Sequence, residues 1–191
     1  MISKEDTTGL ILAGGAGRRV GGKDKGLIVW QGIPLVEHVL KRLAPQVGPV
    51  IISCNRNRSL YDSYDVQTVT DTRRNFQGPL AGLEAAKPLI RTSFLIISSC
   101  DAPALPRDLA EKLLRALASD ENQGIDIAYA WDGCREQYLH AALRTRVVDD
   151  LHAYMERGGR TVRHWYGRHK CVRVDFSEQP ESFYNLNRLE A

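Results

Sequence analysis

The residues best equipped for chemistry lie between positions 12 and 25: Leu12-Ala13-Gly14-Gly15-Ala16-Gly17-Arg18-Arg19-Val20-Gly21-Gly22-Lys23-Asp24-Lys25. Five of these fourteen are glycine and four are basic. Glycines let backbone amides converge on an anion with no Cβ in the way. Arginine and lysine then neutralise phosphate charge. A phosphate-binding loop is one reading, and a solvated basic loop is the other. Two familiar phosphate loops do not fit. Gly17-x4-Gly22-Lys23 begins like a P-loop, but Asp24 stands where a hydroxyl for magnesium is required. Gly15-Ala16-Gly17 begins like a dinucleotide fingerprint, but Val20 fills its third position, which must be small. A Walker-type NTPase and a dehydrogenase are both discounted.

A second group surrounds Asp101 in Ser98-Ser99-Cys100-Asp101-Ala102-Pro103. A carboxylate at the carboxyl end of a central strand suits Mg²⁺, which takes one or two carboxylates plus phosphate oxygens. The same residue also suits a turn, since Pro103 and Pro106 follow. Gly78-Pro79-Leu80-Ala81-Gly82 reads as a tight loop opening a helix close to a ligand, or as an ordinary helix start with proline at its first position. Asp71 could bond a base or a ribose, or form a turn. Asn55-Arg56-Asn57-Arg58 has only its position after a strand to recommend it.

Elements of definite type must hold these groups in place. Gly9–Ala13, Pro49–Cys54, Val66–Thr70 and Ser93–Ser98 are short apolar runs that read as buried strands. Residues 34–44, 79–87 and 106–118 read as helices, the first and last with leucines and valines at helical spacing. Further strands are expected at 125–131, 138–143 and 170–176. Between them lies a helix capped by Thr145, with Val147, Val148, Leu151, Tyr154 and Met155 on its apolar face and Gly158-Gly159 as its stop. Strands alternating with helices predict an α/β fold with a mostly parallel sheet covered on both faces. Ligands of such sheets bind at the carboxyl ends of the strands, here residues 14–25, 53–58, 71–82 and 99–103.

The 191 residues carry no linker or repeat and are read as one domain, 1–191. A net charge of +3 and 43% apolar content describe an ordinary soluble globule, with no run long enough to span a membrane. The polar N-terminus lacks a secretory h-region. Cys54, Cys100, Cys134 and Cys171 form no CxxC pair, so free thiols in a cytosolic protein are expected.

In order and spacing, residues 12–26, Asn55-Arg56, Asp71, Gly78–Gly82, Cys100–Pro106 and Asn185-x-Asn187 together resemble the molybdenum cofactor guanylyltransferases of the MobA type. The likeness runs over about residues 9–188. It implies a single Rossmann-like nucleotidyltransferase domain that attaches GMP from GTP to the phosphate of Mo-molybdopterin and releases pyrophosphate. By the same resemblance, Leu12, Ala13, Gly14 and Gly15 hold GTP, and Lys25 contacts its phosphates. Arg19 stabilises the transferring phosphoryl group, and Ser53 and Asp71 touch the nucleotide. Asp101 meets both GTP and Mg²⁺, while Asn185 and Asn187 lie near the metal and the pterin. Arg19, Lys25 and Asp101 are the implied catalytic set. The N-terminal part then binds GTP and the C-terminal part molybdopterin. Molybdoenzyme apoproteins or their chaperones would receive the product, in the cytoplasm, with no nucleic-acid or membrane partner. Ser53 departs from the asparagine of many members, and Val20 from the usual methionine. Related cytidylyl and sugar-nucleotide transferases, and a non-catalytic GTP or pterin carrier, are the alternatives.

An acceptor phosphate is already anionic near neutral pH, so no general base is needed, and His38, His140, His152, His164 and His169 are scattered. Residues 157–173 hold Arg157, Arg160, Arg163, Arg168, Lys170 and Arg173 and no acid, with Trp165 and Tyr166 among them. That stretch reads as a pterin-phosphate site with stacking aromatics, as a solvated basic face, or as a nucleic-acid patch.

Overall fold

The computed structural model describes residues 2–15, 21–73, 75–119 and 124–186. Strand β1 (Thr7–Leu12) ends at the glycines and is followed by a 3₁₀ turn at Lys25–Leu27 and a two-residue hairpin, β2 (Val29–Trp30) and β3 (Ile33–Pro34). The chain continues through α1 (Leu35–Leu43), β4 (Val50–Ser53), α2 (Arg58–Asp62), β5 (Gln67–Val69), α3 (Pro79–Ala86), β6 (Phe94–Ser99) and α4 (Leu109–Ala118). It closes with β7 (Ile127–Trp131), β8 (Glu136–Arg144), α5 (Leu151–Glu156), α6 (Val162–Tyr166) and β9 (Cys171–Asp175).

Seven strands form one sheet in the order β5-β4-β1-β6-β8-β7-β9. Pairings β5–β4, β4–β1, β1–β6 and β7–β9 are parallel, while β8 runs antiparallel to both β6 and β7. The expected mostly parallel α/β sheet is therefore present, with one reversed strand joining its two parts.

Side chains alternate across the sheet because successive strand residues point to opposite faces. Ile11, Ile52 and Ile96 pack with Val36, Val39 and Leu43 of α1 and with Leu109, Leu113 and Leu117 of α4. Leu10, Ile51, Leu95 and Ile97 pack on the other face with Leu80 and Leu83 of α3, Leu151 and Met155 of α5, and Trp165 of α6. A continuous apolar run in β4 or β6 is thus two half-patterns superposed, one for each layer of helices.

Differences from expectation are local. The helix expected from Thr145 begins as a 3₁₀ turn over Thr145–Asp150 before α5, and Thr145 Oγ1 donates to the Thr92 carbonyl (2.8 Å) instead of capping. Helices α2 and α6 are five residues each, too short for a periodic signal. Cys54 and Cys100 are buried free thiols, as expected, while Cys134 is exposed. Among the described residues no helix is long and apolar enough to cross a membrane.

Leu113 is fully buried between α4 and the sheet. Leu113→Ala is expected to cost about 2–5 kcal/mol through lost transfer energy and the cavity left behind. Urea unfolding checks this: the midpoint should fall while the slope is retained.

Candidate active site

Parallel pairing sets Leu12 level with Ser53 on one side and with Ser99 on the other. The loops leaving β1, β4 and β6 therefore emerge at one edge of the sheet, joined there by the loop after β5. Between them lies a cleft of about 260 Å³. Leu12, Ala13, Gly14, Gly15, Lys25, Ser53, Asp71 and Asp101 all line it, together with Phe76, Gly78, Pro79, Gly82, Ser99, Cys100 and Leu139. Eight residues singled out in the sequence are thus brought to one place.

One end of the cleft is ionic. Lys25 Nζ forms an ion pair with Asp101 Oδ2, and Ser99 Oγ donates to Asp101 Oδ1 (2.6 Å). Lys25 and Asp101 are 76 positions apart, and both are largely shielded from solvent. The neighbouring Asp24 turns the other way: Tyr61 Oη donates to its Oδ1 (2.7 Å) and Asn57 Nδ2 to its Oδ2 (3.2 Å). That orientation is why the near-P-loop fails as one. The lysine in the cleft is Lys25, while Lys23 is exposed.

The other end is polar and poorly satisfied. Asn55 Nδ2 donates both to the Gly14 carbonyl (2.7 Å) and to Asp71 Oδ2 (2.7 Å), and Asn55 Oδ1 accepts the Asp71 amide (2.9 Å). One side chain thereby fixes the loop after β1 to the loop after β5. Asp71 Oδ1 and Ser53 Oγ are buried and have no hydrogen-bond partner among the described residues. Buried polar atoms are normally paired; the Ser53 hydroxyl and the Asp71 carboxylate interact with each other but make no well-formed bond, so this wall of the cleft keeps hydrogen-bonding capacity for a ligand. Burial pushes the Asp71 carboxyl above its ordinary range, and the Asn55 amide and then the Ser53 hydroxyl oppose that shift. Gly82 makes the close approach possible: a Cβ there would lie 2.4 Å from Ser53 Oγ.

Beneath the ionic end, His140 is fully enclosed, with Nδ1 3.3 Å from Ser98 Oγ and Nε2 3.4 Å from Ser99 Oγ. Burial lowers its pKa to about 4, with the Asp101 charge opposing. The ring is neutral at pH 7, so it shares hydrogen bonds with the serines and adds no second cation beside Lys25. No cysteine is poised as a nucleophile. Burial, then the Asp101 charge, pushes Cys100 far up, and burial pushes Cys54 up to about 11.

The remaining expected residues divide. The Leu186 amide donates to the Asp101 carbonyl (3.0 Å), which seats exposed Asn185 one residue away. Arg19 and Asn187 lie outside the described residues. The stacking role expected of Trp165 and Tyr166 is corrected. Both rings are buried, with Trp165 Nε1 donating to Asp150 Oδ1 (2.7 Å) and Tyr166 Oη to the Tyr138 carbonyl (3.1 Å). They are core residues, and no flat ligand reaches their faces. Arg160 bonds the carbonyls of Met155 and Gly159, and Arg168 pairs with Asp150, so these two cations are already engaged. Sequence reading missed Ser99, His140, Phe76 and Leu139. Only the run of serines before Cys100 hinted at any of them.

Residues 9–172 match the MobA-like NTP transferase domain. The chain belongs to this family. It is 40% identical to a molybdenum cofactor guanylyltransferase of Cupriavidus metallidurans, over 100% of this chain and 94% of that one. A protein of the same name from Shewanella sediminis is 39% identical over 95% of this chain and 91% of its own length. Among solved structures, molybdopterin-guanine dinucleotide biosynthesis protein A of Archaeoglobus fulgidus superposes with a TM-score of 0.76 at 23% identity, covering 96% of this chain and 93% of that one. The fold is accordingly the Rossmann-like nucleotidyltransferase fold, and the chain is a nucleotidyltransferase.

The buried neutral histidine has a consequence for stability. An unfolded His140 takes up a proton near pH 6.5, while the folded one resists until about pH 4. Between those values the unfolded state binds more protons, so stability falls as pH falls. The loss is expected to reach about 3 kcal/mol by pH 4 from this residue. Urea unfolding at pH 7 and pH 4.5 should show the decline, and His140→Phe should flatten it.

Proposed function

We propose that this chain transfers GMP from GTP to the phosphate of Mo-molybdopterin, forming molybdopterin guanine dinucleotide and releasing pyrophosphate. The family membership and the relatives' shared name over nearly the whole chain support the reaction class. The observation that carries the substrate side is the two-ended cleft. It has an ion pair at one end and, at the other, Ser53 Oγ and Asp71 Oδ1, buried without a well-formed hydrogen bond. A nucleoside triphosphate has the same polarity, with a hydrogen-bonding base and ribose at one end and a string of anionic phosphates at the other.

In this assignment Asp71 Oδ1 accepts an N–H or O–H of the nucleoside, and Ser53 Oγ supplies a second polar contact. The backbone of Leu12, Ala13, Gly14 and Gly15 cradles the nucleotide, and Lys25 lies along the phosphates. Arg19 is assigned to the transferring phosphoryl group, and Asn185 and Asn187 to the acceptor side near Asp101. A phosphate oxygen of the acceptor attacks the α-phosphorus of GTP. The bond from that phosphorus to the bridging oxygen breaks, and pyrophosphate leaves with the electron pair. The acceptor is ionised before it arrives, so the protein's task is alignment and charge neutralisation.

Among the described residues no group of three ligating side chains forms a metal cage. A single cleft-facing carboxylate at Asp101 fits an ion that arrives with the triphosphate. Asp101 would hold Mg²⁺ there once Lys25 turned from its Oδ2 to the phosphates, and the ion would supply positive charge to the phosphate oxygens. The domain is read as divided in labour, with nucleotide bound by the N-terminal part and the pterin by the C-terminal part, in the cytoplasm.

The purified protein is tested with Mg²⁺, molybdopterin and each of GTP, CTP, ATP and UTP, following pyrophosphate release. Release with GTP alone and only with the pterin is expected. Release with CTP would move the chain to a cytidylyl activity on the same machinery, and tight GTP binding without release would make it a carrier. Asp101→Ala should lower turnover by at least about 10². Near-normal turnover in that variant would remove Asp101 from the metal assignment.

A further inference from the structure

Arg56 leaves β4 beside the cleft without lining it, and neither its charge nor its position assigns it a role in the reaction. Its guanidinium nevertheless ties together segments on both sides of Lys25's approach to the cleft. Nη2 donates to the Gly15 carbonyl (3.1 Å) and to the Lys23 carbonyl (3.2 Å), and Nη1 donates to the Gly22 carbonyl (2.6 Å). The same group lies over the Phe76 ring, 5.8 Å from its centre. One planar cation therefore joins three segments: Gly15 in the loop after β1, Gly22–Lys23 on the approach to Lys25, and Phe76 ahead of α3.

Its geometry explains why an arginine stands there. Guanidinium presents several N–H donors in a fixed plane, so one side chain can span carbonyls on two strands of a loop while its face covers an aromatic ring. Lysine offers a single ammonium and cannot hold both flanks in that plane. Each carbonyl that Arg56 engages has its oxygen held by the guanidinium. In a glycine-rich segment the peptide planes are otherwise free to rotate, and a carbonyl facing a phosphate repels it.

We propose that Arg56 is a positioning residue for nucleoside triphosphate binding: it fixes the peptide planes at Gly15 and at Gly22–Lys23, so that the loop amides and Lys25 face the cleft before the nucleotide arrives. This rests on the assignment of the cleft to a nucleoside triphosphate. The free energy of ordering the loop is then spent in folding rather than in binding, which is how preorganisation raises affinity.

The experiment compares wild type with Arg56→Ala, Arg56→Lys and, as a surface control, Arg58→Ala. Among the described residues Arg58 pairs with Asp62 of α2 and donates to Thr68 of β5, and it does not line the cleft. Each protein is titrated with the nucleoside triphosphate that wild type binds, by calorimetry, and then assayed for KM and kcat. Failure of wild type to bind GTP, with CTP bound instead, overturns the guanine assignment and leaves this test intact on CTP. The expected result is a Kd and KM raised by about 10- to 100-fold in both Arg56 variants, with kcat changed less and Arg58→Ala like wild type. Added methylguanidinium should restore part of the affinity of Arg56→Ala and none elsewhere. Wild-type affinity in Arg56→Lys would show that charge alone suffices and would overturn the proposal. Wild-type affinity in Arg56→Ala would do the same. Should the alanine variant fail to fold, Arg56→Lys decides the question alone.

Discussion

Parallel pairing of β1 with β4 on one side and β6 on the other is the constraint on which everything else in this protein rests. Parallel strands run in the same direction, so their carboxyl ends share an edge, and the Leu12–Ser53 and Leu12–Ser99 registers make those ends level. Residues from positions 12 to 101 then meet in a space that no local stretch of chain can build. The same pairing requires crossovers, and the crossovers are α1 on one face and α3 on the other. Apolar burial on both faces stabilises the sheet, at roughly 1.5–3 kcal/mol for each fully enclosed leucine or isoleucine. The polar edge is held rigid by that core and adds little to its stability.

At that edge Lys25 and Asp101 offset each other's charge. Lys25 and Asp101 face each other, and each lowers the cost of shielding the other from water. His140 beneath them is neutral, so the pair has no competing cation below it. Ser99 occupies one oxygen of Asp101 and Lys25 the other, which fixes the carboxylate in a single orientation. Under the proposed assignment, an incoming triphosphate would be met by Lys25, by the amides of the loop after β1 and by the cation it carries. The ion pair that it disturbs has already been desolvated.

Much of this was legible in the sequence, and the limit has a physical form. Continuous apolar runs revealed the strands and leucine spacing revealed α1 and α4, because those patterns are local and repeat at the period of the element. The glycine-rich loop, Asp101 and Gly78–Gly82 were legible because their residue types are unusual at strand ends. Trp165 and Tyr166 misled, since aromatic residues among arginines look like a ligand site. Their neighbours in sequence are exposed, but a five-residue helix turns these two rings into the core. Asn55, Arg56, Ser99 and His140 act through hydrogen bonds to residues that are mostly tens of positions away. Such contacts have no period and no composition, so only the folded chain reveals them.

The tripeptide Asp24-Lys25-Gly26 shows how a motif and its support can be one object. Asp24 and Lys25 have separate partners: Asp24 is held by Tyr61 and Asn57, and Lys25 pairs with Asp101. The Tyr61 hydroxyl, enclosed in the core, takes Asp24 as its acceptor, and that bond leaves Lys25 to face the cleft. Gly26 lets the chain pass, because a Cβ there would lie 2.4 Å from the same hydroxyl. Burial, reinforced by the Asp24 carboxylate, keeps the Tyr61 phenol protonated, so it serves as a donor throughout the physiological range. An aspartate that disqualifies the loop as a P-loop is therefore what aims its lysine. The cleft-facing lysine, Lys25, stands two residues later than the P-loop position at Lys23, and it is set from the core side of the chain.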